Sequence, residues 1–418
     1  MVCRFRVLSR TLFSLVLLAS LLTHPVAGAE TSREPKPAGG LVSTGQPDLR
    51  DLPEGLTTLS WSLTQQAGTP IGWGEVIQRT QQHNVEIAIS QEKITETEVK
   101  RQDVETKRVL FFFKYFDSAF LEGSAESDVM AAGAHAQAVL NQSLLDSLTR
   151  YTQLMRAAMA QVITYQSIQQ GKTQLTLNQR RFTAGETTSF DLMQTKTQLV
   201  QRYQEFLQAG VGYKTASYAL AEQLGLAPDT LFFPQDLTVS PEAGIQLPVY
   251  HFFGEPPRLS AAESVRLALE NRPEFKELKF RRISLENLLK ASTVKFDRVH
   301  EKIIASSLKQ LDLRRQKLEG SVRALTLKAY DDFQFADQKL ALAGQQLAIA
   351  QKALKQVQVS HQSGFSSNKD VLDAQVAVTQ AQVNQANALI DYNLSQVQLL
   401  YETGLISPDT LQKGKIEL

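Results

Sequence analysis

From about residue 73 onward the apolar positions follow a helical period. Leu192, Leu199, Phe206, Tyr213 and Leu220 recur every seven residues, as do Leu340, Leu347 and Leu354, the spacing that gathers side chains into one stripe facing a partner helix. Alanines such as Ala341, Ala343, Ala348, Ala374, Ala381 and Ala388 lie beside the second stripe and allow close helix approach. The remaining faces are dense in Gln, Asn, Ser, Thr and Lys, as expected of helices with water on the other side. A stripe of this kind carries packing and implies no cofactor. The chain is therefore expected to be mainly α.

The helices come in two similar sets. Sliding the second half back by 179 positions places Tyr330 on Tyr151, Gly364 on Gly185, Asp370 on Asp191, Tyr392 on Tyr213 and Gly404 on Gly225. The aligned segments are RRFTAGETTSFDLMQTKTQL and VSHQSGFSSNKDVLDAQVAV, each followed by a short apolar stretch, QLGL or ETGL, and then by Pro-Asp-Thr, with one residue inserted. The front ends also correspond, HNVEIAI at 83–89 against ENRPEFKEL at 270–278, where the offset widens to about 187. Self-similarity over such a period marks a tandem repeat. Each repeat contains a helix ending near Gly185 or Gly364, where a left-handed residue suits a helix end. After a polar turn comes a second helix starting near Asp191 or Asp370, where a carboxylate favours the positive amino terminus. Two long antiparallel hairpins are expected.

Composition places these hairpins in a compartment. Arg4, Arg6 and Arg10 precede an apolar run from Leu12 to about Leu22, and Ala27-Gly28-Ala29 offers small residues for cleavage, which reads as a secretory signal peptide over 1–29. A membrane anchor is the alternative, but the run falls short of the ~20 residues that a spanning helix needs. Cys3 is the only cysteine and would leave with the signal, so the mature chain has no disulfide and no thiol nucleophile. Residues 30–72 are rich in Pro, Gly and polar residues and read as a flexible leader. The first repeat is assigned to 73–230, a Pro-rich linker to 231–258 and the second repeat to 259–418. Forty-four basic residues balance forty-three acidic ones, without the basic stripe of a nucleic-acid binder.

The doubled turn resembles that of the TolC-like outer membrane efflux proteins, a family with the form (Arg/Tyr)-(Phe/Tyr)-x-x-Gly followed six residues later by the Asp of Asp-Val-Leu-Asp-Ala. Here the turns read Arg181-Phe182-Thr183-Ala184-Gly185 to Asp191, and Ser360-His361-Gln362-Ser363-Gly364 to Asp370-Val371-Leu372-Asp373-Ala374. The resemblance implies a homotrimer whose hairpins close into a hollow α-barrel in the envelope of a Gram-negative bacterium. It implies an outer-membrane β-barrel above the helices and turns, marked by Gly185, Gly364, His361 and Ser366, that point toward a periplasmic adaptor and an inner-membrane pump. It makes Asp370 and Asp373 candidates for a ring of carboxylates at the periplasmic entrance, with Asp191 at a partner position. Either these carboxylates form that ring or they are solvated residues at helix starts. Where better-known members carry a Tyr and an Arg beside the second turn, this chain has His361 and Ser366, so a closed entrance must use other contacts.

The membrane segment departs further. The family inserts two strands between the first and second long helices of each repeat, and a pair of ~9–11-residue strands with turn and flanks needs roughly thirty residues. Asn84 to Tyr151 is 67 residues and Asn271 to Tyr330 is 59, shorter than family intervals that hold a strand pair. Residues 124–150 read as helix, 274–319 contain neither Pro nor Gly and are charged, and only TVKFDRV at 293–299 alternates. A short or absent β-barrel is expected. Phe111, Phe112, Phe113, Tyr115 and Phe116 form a candidate membrane contact, since aromatic rings favour the bilayer interface; the alternative is a helix end packed on neighbouring subunits.

No catalytic constellation is present. His83, His135, His251, His300 and His361 are scattered, without metal-ligand spacing, and phosphate loops, dinucleotide fingerprints and nucleophile elbows are missing. No cofactor and no enzyme activity are expected. Two functions remain: a passive efflux duct in the outer membrane driven by a partner pump, or a barrel-less periplasmic tube or adaptor with a structural role.

Overall fold

A computed structural model of the chain describes residues 52–59, 68–110, 118–240, 244–246, 259–294, 298–363, 365–366 and 368–413, all within the unit Pro47–Leu418. Gly364 and the aromatic positions Phe111, Phe112, Phe113, Tyr115 and Phe116 lie outside the described residues.

In chain order come α1 (Glu54–Thr57) and β1 (Thr69–Ile71), then, within the span 73–230, α2 (Trp73–His83), α3 (Val85–Leu110), α4 (Ser118–Thr183) and α5 (Ser189–Gln223). Three short strands follow, β2 (Phe232–Pro234), β3 (Thr238–Ser240) and β4 (Gly244–Gln246). The second series is α6 (Ala261–Asn271), α7 (Pro273–Val294), α8 (Arg298–Gln362), α9 (Asn368–Glu402) and α10 (Pro408–Lys413). Its helices reproduce the first series, with α2 and α6 at 11 residues, α5 and α9 at 35, and α4 and α8 at 66 and 65. At ~1.5 Å per residue, α4 and α8 are each ~100 Å long.

The expected stripes are the buried faces. Leu199, Phe206, Tyr213 and Leu220 of α5 are buried against α4, and Leu340 of α8 is buried with Phe333, Leu389 and Tyr392. The hairpins α4–α5 and α8–α9 join through α4 and α9, which gives the lateral order α5, α4, α9, α8; along the other half of the long helices, α3, α4, α7 and α8 pack in turn. Arg156 of α4 pairs with Asp391 of α9, which also takes Lys339 of α8 at 2.6 Å.

Each return helix ends in the same closure. The Leu226 N–H donates to the Ala221 carbonyl at 2.9 Å and the Leu405 N–H to the Leu400 carbonyl at 2.9 Å, around Gly225 and Gly404 at φ 65° and 72°. Both glycines sit against a break between helices. A Cβ on Gly225 would lie 2.1 Å from the His83 carbonyl oxygen, and one on Gly404 2.8 Å from the Arg272 nitrogen.

The residue at each break is held differently. Asn84 donates from Nδ2 to the Gln223 carbonyl at 2.8 Å and accepts from the Glu86 N–H at 3.0 Å. Arg272, whose side chain is 7% exposed, donates to Glu402 at 2.7 Å and Glu274 at 2.8 Å and covers the Tyr401 ring. Burial pushes the Glu402 carboxyl up while Arg272 pulls it down.

Part of the expected leader and linker is ordered. Leu52 and Leu56 are buried with Ile168, Leu175 and Leu199, and β1 pairs in parallel with β2, Ile71 opposite Pro234. Asp236 accepts from the Trp73 N–H at 2.8 Å and the Tyr151 hydroxyl at 2.7 Å, and burial raises the Tyr151 phenol. The flexible-leader reading is thus corrected for 52–59 and 68–72: a few apolar side chains and a strand partner 163 positions downstream compensate ordering, which local composition does not reveal.

The intervals where membrane strands would be inserted are short. From Leu110 to Ser118 seven residues intervene, 111–117, and from Val294 to Arg298 three, 295–297. Neither can hold a pair of ~9–11-residue strands. Of TVKFDRV, residues 293–294 end α7 and 298–299 begin α8, because each falls in a longer helical run. Among the described residues the only strands are the four of three residues each, and no described helix is long and apolar enough to cross a membrane.

Two outcomes follow from the helix breaks. Gly225→Ala combines a left-handed conformation with a backbone clash and is expected to cost at least about 2 kcal/mol, measured by chemical denaturation, whereas Gly185→Ala, with open space around it, costs only the conformational part, about 1 kcal/mol. Glu402→Ala leaves Arg272 without its most buried partner and is expected to cost about 3 kcal/mol. The double variant Arg272→Asn/Glu402→Gln, which installs the residue types of the first repeat, should recover most of that loss.

Candidate functional site at the hairpin turns

The clamp of Arg156 on Asp391 sets the two turns at one end of the helical layer. Arg156 lies 29 residues before Gly185, and Asp391 lies 26 after Phe365, so the two turns differ in reach by only ~5 Å at 1.5 Å per residue.

The first turn closes by hydrogen bonds that its sequence dictates. The Glu186 N–H donates to the Arg181 carbonyl at 2.8 Å and the Gly185 N–H to the Phe182 carbonyl at 3.0 Å. Gly185 has φ 77°, a conformation that needs no Cβ. Thr188 then caps α5. Its hydroxyl accepts from the Asp191 N–H at 3.2 Å, and Asp191 Oδ2 accepts from the Thr188 N–H at 3.1 Å and from the hydroxyls of Thr188 and Thr187 at 2.7 and 2.9 Å, a reciprocal capping box. The Thr188 hydroxyl, then its N–H, and the Thr187 hydroxyl hold the Asp191 carboxyl below its ordinary value of 3.8.

The second turn repeats the closure in the same register. The Phe365 N–H donates to the Ser360 carbonyl at 2.9 Å, the counterpart of Glu186 on Arg181. His361 Nδ1 donates to the Ser366 carbonyl at 2.8 Å, and the Ser366 hydroxyl donates to that of Ser360 at 2.6 Å. His361 and Ser366, which replace the bulkier pair of the resembled family, therefore brace one turn from within. Asp370 is exposed in the first turn of α9 and Asp373 is exposed one turn farther on.

What the sequence did not single out is the apolar character of these turns. Phe190 is 74% exposed, Met193 62% and Phe365 88%, with Phe182 at 41%. Their signal was present as bulky apolar residues inside polar turns, but a helical period assigns them no partner. Among the described residues no group of His, Cys, Asp and Glu is placed to hold a metal ion.

No family model and no curated protein matches the chain. Solved structures do. The outer-membrane channel OprN superposes with a TM-score of 0.63 at 14% identity, covering 79% of this chain and 89% of that one. The CmeC outer membrane channel of Campylobacter jejuni gives 0.63 at 10% identity, over 84% and 91%. The outer membrane protein VceC of Vibrio cholerae gives 0.60 at 13%, over 79% and 96%.

Thr188→Ala removes the capping hydroxyl and is expected to cost about 1 kcal/mol of stability. A depressed carboxyl contributes stability that is present above its ordinary value and lost as pH falls through the lower folded value. In wild type the Asp191 carboxyl should therefore titrate below 3.8, and in Thr188→Ala its midpoint should move up toward that value, read by NMR of the side-chain carboxyl.

Proposed function

Taking as premise that the chain has the fold of the TolC-like outer-membrane channels, we propose that it forms the helical tube of an export duct in the envelope of a Gram-negative bacterium. Three copies supply six hairpins in a ring, and solute passes by conduction while a partner inner-membrane pump supplies the energy. The observation that carries this reading is the doubled hairpin, with both turns brought to one end of the layer by the Arg156–Asp391 pair. That end, with Gly185, Gly364, His361 and Ser366, faces a periplasmic adaptor. Asp370 and Asp373 supply one set of carboxylates per copy to an entrance ring. Asp191 supports the ring indirectly, by capping the helix beside it.

A second reading, a tube that acts as spacer or docking partner, is favoured by the seven- and three-residue connections between α3 and α4 and between α7 and α8. Both readings place the tube in the periplasm, and membrane attachment falls to other residues or to partners.

Fractionated envelopes washed with alkaline carbonate test the membrane relation. Release of the mature protein is the expected outcome; retention as an integral protein would mean that another segment inserts. End-on views of the purified particle by electron microscopy separate the two readings, since a duct shows a central opening and a spacer a filled section.

A further inference from the structure

Beside the helix break at Arg272, the end of α6 and the first turns of α7 meet α8 around a cavity of about 410 Å³. Part of its wall is apolar. Leu311 of α8 is buried there, and Leu269 of α6 with Phe275 and Leu278 of α7 are half-buried. Lys276, Lys279 and Arg315 also line the cavity and are exposed. Neither the hairpin turns nor the core stripes make use of it.

The charges around the cavity are unevenly matched. Each of its carboxylates is already held by an arginine: Glu270 by Arg266 at 2.8 Å, Glu319 by Arg323 at 2.8 Å, and Asp312 by Arg282, which also takes Glu286 at 2.8 Å. Among the described residues, Lys276, Lys279 and Arg315 form no ion pair and no side-chain hydrogen bond. Three cations thus border a partly apolar cavity without a counter-charge from the chain.

Helix pairing does not demand these cations. Counted from the first residues of α7 and α3, Pro273 and Val85, the positions of Lys276, Lys279 and Arg282 hold Ala88, Gln91 and Ile94 in the first repeat. Helices α4 and α8 end 179 positions apart, at Thr183 and Gln362, and the same offset places Ala136 of α4 at Arg315 and Gly133 at Asp312. The corresponding contact of α3 with α4 therefore forms with uncharged residues at all of these positions. The basic set belongs to the second repeat alone.

We propose that this cavity binds an organic anion with an apolar body, its phosphate or carboxylate head held by Lys276, Lys279 and Arg315 and its body against Phe275, Leu278 and Leu311. Cavities of about 300–1,000 Å³ with a largely apolar wall and a few placed charges are the usual seats of small ligands. Arginine holds such a head through two parallel donors, and lysine adds point charge. Inorganic phosphate alone would leave the apolar wall uncovered, and an uncharged amphiphile would leave three cations unmatched, so the two parts together define the ligand class. Because the wall comes from α6, α7 and α8, a bound ligand ties the helix break to α8. The inference is independent of whether the tube conducts or acts as a spacer.

The probe is octyl phosphate below its micellar concentration, titrated calorimetrically into the full chain. It should bind, with inorganic phosphate and octyl glucoside weaker by at least about tenfold, and it should raise the melting midpoint as any ligand selective for the folded state does. Absence of octyl phosphate binding, or equal binding of octyl glucoside, would overturn the site. Lys279→Ala/Arg315→Ala should weaken octyl phosphate by at least about tenfold, whereas Arg314→Ala, one residue outside the cavity lining, should bind as wild type. These residues are exposed, so both variants should keep the wild-type helical circular dichroism; an equal loss of binding in the two would count against the cavity. Vesicles of phosphatidylglycerol separate two sources of such a head. Capture of wild type that the double variant loses identifies a lipid, and capture that is absent or unaltered by the variant identifies a soluble anion; either source upholds the site.

Discussion

The close backbone approach at Gly225 and Gly404 is the constraint on which the rest of the fold depends. A return helix of 35 residues could slide along its partner by a heptad and still bury an apolar stripe, since the stripe repeats. The glycines remove that freedom. Each lets the chain turn out of its helix within contact of a helix break, at His83 in one repeat and Arg272 in the other, and only a residue without a Cβ fits. Once α5 and α9 are seated, the heptad registers of both hairpins, the height of both turns and the meeting of Arg156 with Asp391 follow.

The same geometry is sustained by different chemistry in the two repeats. At the helix break, Asn84 uses a neutral side chain to satisfy a carbonyl and the first donors of α3, whereas Arg272 uses a buried charge held by two carboxylates and a tyrosine ring. A neutral amide costs little to bury when hydrogen-bonded; a charge is tolerated only with full pairing. Tyr151 and Tyr330 diverge likewise. Tyr151 is fully buried and bound to Asp236, while Tyr330 is half-buried at the edge of the second core. The first repeat thus carries the larger core, which includes α2, β2 and part of α9.

Much of this was legible in the sequence because it is periodic. Leu199, Phe206 and Leu220 could be placed on a buried stripe from spacing alone, and the 179-residue offset survives in the helix boundaries. The turns were legible from Gly185 and Asp191, since a positive φ and a capping carboxylate are local requirements. What escaped was non-local or sparse. Asp236 meets Trp73 and Tyr151 across 163 and 85 positions, and no pattern around residue 236 announces it. Leu52 and Leu56 are too few to mark a core segment, yet they cover Ile168 and Leu175. The exposure of Phe190 and Phe365 escaped because neither lies on the heptad stripes, so the period gives them no partner and says nothing of how far they stand out from the turns.

The short connections between α3 and α4 and between α7 and α8 bear on the end of the molecule opposite the turns. Around these connections α4 packs against α7, and α7 against α8. The surface near that end also argues against lipid. Lys279, Arg281, Arg282, Lys309 and Arg315 are exposed on α7 and α8, and charges of this kind are costly in hydrocarbon. Arg282 is held by Glu286 and Asp312, an arrangement suited to water, where exposed pairs cost little and contribute little. The described part of α7 and α8 at this end thus presents a charged surface, paired at Arg282, whose physical chemistry is that of side chains in contact with water.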